Sequence, residues 1–325
     1  MPAAKNDSHG RCLAGPPRRA VSSVAEIPDR PRGLAKLFGQ RLHFTYVQIL
    51  HAADNPDVDA IHDLRVAIRR SGEIIHALIR ADCCGLARRP ARRLLRTLQK
   101  IRRGAGGIRD LDVLSSLAER SESPMGSARQ RRLLLEQTAR RRAALLKKLR
   151  GLLQRASDES PFASLEDALA SAPGAPELER RLAQALAGRI ADNGKKFRRA
   201  CARALQERSP ELVHRARIAG KRWRYACEPA TQTGLTDGRK LIDQLKHLQK
   251  ITGDLHDVYF ALQSLPTPEQ QASFAAARAK KAGRESRWPA GLRRRFARLL
   301  QRTLRELAAA QQWKLPGEES LSATK

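Results

Sequence analysis

The strongest constraint on this chain is a repeat. His62, Arg65, Arg69 and Arg70 recur as His214, Arg217, Lys221 and Arg222 at one constant offset of 152 residues. Downstream, LQKI at 98–101 returns at 248–251, and GGIRDLDV at 106–113 returns loosely as GDLHDVYF at 253–260. Short motifs kept in one order mean two related halves, each burying an apolar face against its neighbour. From Gly33 onward apolar residues recur at helical spacing, and no Val/Ile/Thr alternation marks a strand. A core of Leu, Ala, Ile and Val with only 4% aromatics suits helices as well. The expected fold is all-α, with two helical bundles related by a pseudo-twofold and facing each other across a seam.

Composition shifts set the boundaries. Residues 1–30 are rich in Pro, Gly, Ser and Arg without periodicity and read as a disordered basic tail. The periodicity predicts helices over 33–53, 57–82, 88–103, 108–122 and 126–156, which make up the first bundle. Ser, Pro and Gly mark a linker over 157–176. A second bundle follows over 177–313, with helices at 177–207, 210–229, 237–251, 254–264, 268–282 and 290–313. Residues 315–325 read as a polar tail. The start of the chain lacks the apolar stretch of a signal peptide, and no apolar run is long enough to span a bilayer. Five cysteines without a CxxC pair suit a reducing compartment. The expectation is a soluble, cytoplasmic protein with no membrane partner.

Charge decides the class of partner. The chain carries 63 Lys and Arg against 33 Asp and Glu, a formal net charge of +30. Such an excess points to a polyanion. On a helix, His62, Arg65, Arg69 and His76 fall within an arc of roughly 60°, and the Ile61, Leu64, Ile68, Ile75 and Ile79 stripe lies roughly 90° away. The cations therefore border the buried face instead of standing opposite it. His214, Arg217, Lys221 and Arg224 form a similar arc, with Tyr225 at its edge. Arg89, Arg93, Arg96, Lys100 and Arg103 step along the third helix. Arg239, Lys246 and Lys250 follow on its counterpart, and Lys196, Arg199 and Arg203 on the first helix of the second half. Few acids stand at i±4 to neutralise them. Solvated faces are the ordinary reading of such runs. Their recurrence at matching places favours a shared anion-binding surface along the seam, where Arg supplies a two-pronged fork and Lys a mobile point charge.

IHDLRVAIRR at 61–70, HRARIAGKRWRYACE at 214–228 and GIRDLDV at 107–113 together resemble the CHAD family, the conserved-histidine α-helical domain. The resemblance covers residues 33–312. It implies two helical bundles around a basic central groove or pore that binds inorganic polyphosphate, in association with polyphosphate granules and their proteins. Carried over by position, the ligand residues would be His62, Arg65, Arg69 and Arg70, then His214, Arg217, Lys221, Arg222 and Arg224. Arg109 stands in the GIRDLDV motif as the family pattern has it, while His256 replaces it in the second copy. Arg96, Lys100 and Arg103 with Lys246 and Lys250 extend the expected surface. The Glu-x-Glu-x-Lys motif of the triphosphate-tunnel domain that some relatives carry is absent; the nearest string is ELERR at 177–181.

Polyphosphate offers dense charge and no bases, which fits a chain with many cations and few aromatic stacking platforms. Two other readings stand beside it. One is nonspecific nucleic-acid binding, possible but not preferred. The other is a metal-dependent HD-type phosphohydrolase, suggested by His62–Asp63 and His256–Asp257, with His43 or His51 and Asp110 or Asp112 to complete a metal set. Against it, Arg215 replaces Asp63 in the second copy while the cations persist. Asp110, Asp112, Asp254 and Asp257 follow glycines and read as carboxylates at helix starts. The expectation is a binder without catalysis, cofactor or metal.

Overall fold

The computed structural model describes residues 33–81, 88–119, 128–158, 161–170, 176–264 and 290–314. The expected tails at 1–30 and 315–325, the helix at 268–282, and Cys12, Cys83 and Cys84 lie outside the described residues. Within these, all regular structure is helical. The helices are α1 Leu34–Asp54, α2 Val58–Ala81, α3 Arg88–Glu119, α4 Ala128–Asp158, α5 Pro161–Ala170, α6 Pro176–Glu207, α7 Pro210–Gln232, α8 Arg239–Ser264 and α9 Ala290–Ala310.

Helices α1–α4 form one cluster and α6–α9 another, with the same neighbours in each. The first helix packs on the second and fourth, and the third on the second and fourth. This correspondence is what an internal duplication produces. The two clusters are in contact through α2 on α6 and α7, α1 on α6, and α3 on α8. One continuous apolar core runs through both, from Phe38, Ile61 and Leu64 to Phe197, Trp223 and Leu245. Trp223 is fully buried, its ring centroid 5.5 Å from that of Phe197.

Helix ends follow local chemistry. Asp57 accepts the Ala60 N–H at 2.7 Å and caps the start of α2. Pro210 opens α7, where its missing N–H costs nothing. The start of α1 is capped from the other half: Leu34 and Ala35 N–H donate to the Glu179 carboxylate of α6 at 2.7 and 3.1 Å. Gly33 makes room for it at φ 103, where a Cβ would stand 2.7 Å from a carboxylate oxygen.

Three expectations are corrected. The expected break between 103 and 108 is absent: Arg88–Glu119 is one helix, α3, which runs unbroken through GAGG. Likewise 237–251 and 254–264 are one helix, α8. Packing overrides glycine's weak helix preference at these points. The third difference lies in the stretch read as linker, 157–176, where α5 packs on α1 and α3 with Phe162 and Leu165 buried.

Candidate functional site

A cavity of about 530 Å³ opens where α2, α3, α6, α7 and α8 meet, so both halves line it. From α2 come His62, Arg65, Arg69 and His76, the arc read from the sequence. From α7 come His214, Arg217, Lys221, Arg222 and Tyr225. The unbroken course of α3 brings Arg102 and Arg109 to the same space, and α8 brings His256. Nine Arg or Lys side chains face three carboxylates, those of Glu73, Asp110 and Asp257.

One of those carboxylates is already committed. Glu73, 5% exposed, accepts a short hydrogen bond from Arg189 of α6 and another from Asn193 Nδ2 at 2.9 Å. This buried pair ties α2 to α6 at one end of the seam. Asp110 and Asp257 are not at helix starts, because α3 and α8 run through them. Burial raises the pKa of both, and the arginines act against it: Arg65, Arg69 and Arg109 around Asp110, and Arg217 foremost at Asp257. Asp112 points away from the cavity, where Arg142 Nε of α4 donates to it at 2.7 Å.

The cations crowd one another. Burial pushes Lys221 down to about 6, helped by the charges of Arg217, Arg69, Arg224 and Arg65. Arg65 falls to about 10, chiefly by burial and then by Arg69. Burial also lowers the pKa of His62, His76 and His214, with neighbouring cations adding to it. His256 falls to about 4 by burial and by His214, whose ring centroid lies 4.3 Å away. Arg65 Nη1 donates to the Ala105 carbonyl at 2.9 Å. Arg217 Nε and His214 Nδ1 are buried without a hydrogen-bond partner among the described residues. A buried guanidinium N–H without an acceptor, as at Arg217, suits an anionic guest.

Of the residues singled out from the sequence, the cavity gathers His62, Arg65, Arg69, Arg109, His214, Arg217, Lys221 and Arg222. Arg70 and Arg224 are turned aside and matched by the protein's own carboxylate. Glu228 lies 3.1 Å from Arg70 Nε and 3.7 Å from Arg224 Nε, and both guanidiniums stand over the Tyr225 ring. Arg96, Lys100, Arg103, Lys246 and Lys250 are exposed outside the cavity, Lys246 in an ion pair with Asp243. The sequence reading names neither Arg102 nor Arg189 and notes His256 only as the residue in place of the motif arginine, yet all three line the cavity. Arg102 is one residue, hence 100°, from the Arg103 that was chosen. Nothing local marks Arg189, because its partner Glu73 is 116 positions away. The metal set suggested for hydrolysis does not assemble: among the described residues no three His, Cys, Asp or Glu side chains are placed to hold an ion. No helix of the described residues is long and apolar enough to cross a membrane.

The family whose pattern matches the chain is the CHAD domain, over residues 41–266. Among solved structures, the crystal structure of the CHAD domain from the plant Ricinus communis is similar with a TM-score of 0.51 at 19% identity. The match covers 88% of this chain and 96% of that one. That likeness is one of fold. No curated protein matches the sequence.

Proposed function

Since the chain belongs to the CHAD domain family, we propose that its cavity binds inorganic polyphosphate, without catalysis, and that the protein associates with polyphosphate granules. The observation that carries this reading is the imbalance inside the cavity: nine Arg or Lys against three carboxylates, one of them spent on Arg189. Like charges brought together in this way raise the free energy of the empty site, and a guest with one negative charge per unit relieves it. Guanidiniums from both halves supply forked donors for phosphate oxygens. Tyr225 is the one Tyr, Trp or Phe among the lining residues, and it is buried. Apart from its histidines, the cavity thus offers no exposed aromatic ring among the described residues on which a base could stack.

The test is a pull-down on immobilised long-chain polyphosphate at rising salt, competed with duplex DNA. Retention should fall steeply with salt, as counterion release requires. DNA should compete poorly, charge for charge; equal competition would favour a nonspecific nucleic-acid binder instead. Arg65→Glu combined with Arg217→Glu should weaken binding by about a hundredfold or more while leaving the far-UV circular dichroism unchanged, since each reversal replaces a charge-assisted donor with a repulsive group.

A further inference from the structure

Glycine weakens a helix relative to alanine, so glycines inside α3 and α8 call for local reasons. At Gly104 and Gly107 the reason is packing. A Cβ there would stand 3.4 Å from Leu149 and 3.2 Å from Leu145, both on α4. Gly106 and Gly253 are different. A Cβ at Gly106 would meet Arg65 Nη1 at 3.1 Å, and outside its own helix it would meet no other atom within 4 Å. At Gly253 the nearest atoms all belong to Arg217, the first being Nη2 at 3.2 Å. Arg65 and Arg217 are equivalent by duplication, and so are the two glycines. The same contact is made twice, once in each half, at the wall of one cavity.

We infer that Gly106 and Gly253 are positioning residues: the bare main chain at each is a shelf against which the guanidinium of Arg65 or Arg217 rests, and it sets how the arginine presents its donors to the cavity. On α3 the shelf also supplies an acceptor, since Arg65 Nη1 donates to Ala105 O at 2.9 Å beside Gly106. Separations of 3.1 and 3.2 Å are tighter than nine in ten real Cβ contacts, so an added methyl displaces the guanidinium by a few tenths of an ångström. A shift of that size stretches the bond to Ala105 and turns the fork away from the angle at which two donors meet one phosphate. The inference rests on the polyphosphate reading for what the arginines hold; the shelf itself does not.

Two measurements on Gly106→Ala, Gly253→Ala and the double variant test it, one with ligand and one without. In the free protein, phenylglyoxal labelling mapped by peptide mass spectrometry should be faster at Arg65 in Gly106→Ala and at Arg217 in Gly253→Ala, each without effect on the other site. With long-chain polyphosphate, each alanine should weaken binding about three- to tenfold, the scale of one charge-assisted hydrogen bond made badly. Thermal midpoints should hold or rise, because alanine favours the helix. In an Arg65→Lys background, where the head group is a point charge without the planar fork, Gly106→Ala should cost nothing further. Unchanged labelling, additive losses in that background, or affinity lost only together with thermal stability would overturn the shelf. Wild-type protein that ignores polyphosphate while the labelling still responds would sink the proposed ligand and leave the shelf standing. Tight wild-type binding with indifferent labelling would do the reverse.

Discussion

Lys221 is the residue on which charge and burial meet most sharply. In the free protein its ammonium is held down to about 6 by burial and four arginines, so at neutral pH the amine is mostly uncharged. A phosphate chain beside it favours the ammonium, so binding takes up a proton. The sign follows. Below about pH 6 the free protein already carries that proton and the affinity owes no pH dependence to Lys221. Above it the affinity falls, by up to about tenfold per pH unit for one proton. His62 and His214, whose pKa values are also lowered by burial and neighbouring cations, act in the same sense. Titration calorimetry should find tighter binding near pH 6 than near pH 8, with proton uptake visible as a dependence of the heat on buffer. Lys221→Met should lose that part of the slope; an unaltered profile would show that another group takes the proton. For stability the same shift works the other way. The unfolded chain binds this proton more strongly, so between about 6 and the ordinary lysine value the fold gains stability as pH rises.

At the scale of the element, α3 shows how a helical stripe can be read correctly and pointed wrongly. Between Arg88 and Arg109 it contains no Asp or Glu. Its apolar period is plain, and Leu94, Leu98 and Ile101 are buried as that period requires. The cavity face carries Leu95, Gln99 and Arg102, whereas Arg96, Lys100 and Arg103 sit one residue along and face solvent. An exposed, acid-free row beside the cavity is a natural track for the part of a long polymer that the cavity does not enclose. Arg96→Glu with Lys100→Glu and Arg103→Glu should therefore weaken binding of long-chain polyphosphate about tenfold near physiological salt, where screening confines charge effects to roughly 8 Å. Tripolyphosphate should bind as before. An equal loss for both lengths would place the stripe's influence inside the cavity instead. The glycines of α3 carry the companion lesson. GAGG looks like a break, and the helix passes through it because α4 and Arg65 need the space.

For the whole molecule, the seam between the halves is both the site and the joint. Arg189 and Asn193 of α6 close on Glu73 of α2, in a pair that no neighbouring residue in the sequence announces. Glu73→Ala leaves the Arg189 charge, 15% exposed, without its partner and should cost about 3 kcal/mol. A denaturant titration reads this directly, and a midpoint that does not move would mean that this pair does not help to hold the halves together. The sequence by itself determined the helical class, the two-part construction and the cationic arcs on α2 and α7, because helical period and duplicated motifs are local facts. It could not determine which arginines remain unpaired. Arg70 and Arg224 sit in the same motifs as Arg69 and Lys221, yet Glu228 takes them. Arg102 lines the cavity while Arg103 does not, since the phase of α3 against α2 is set by packing. Charge along a helix is written in the chain. The carboxylates and empty spaces that the charge meets come from residues a hundred or more positions away, and only the packed fold brings them together.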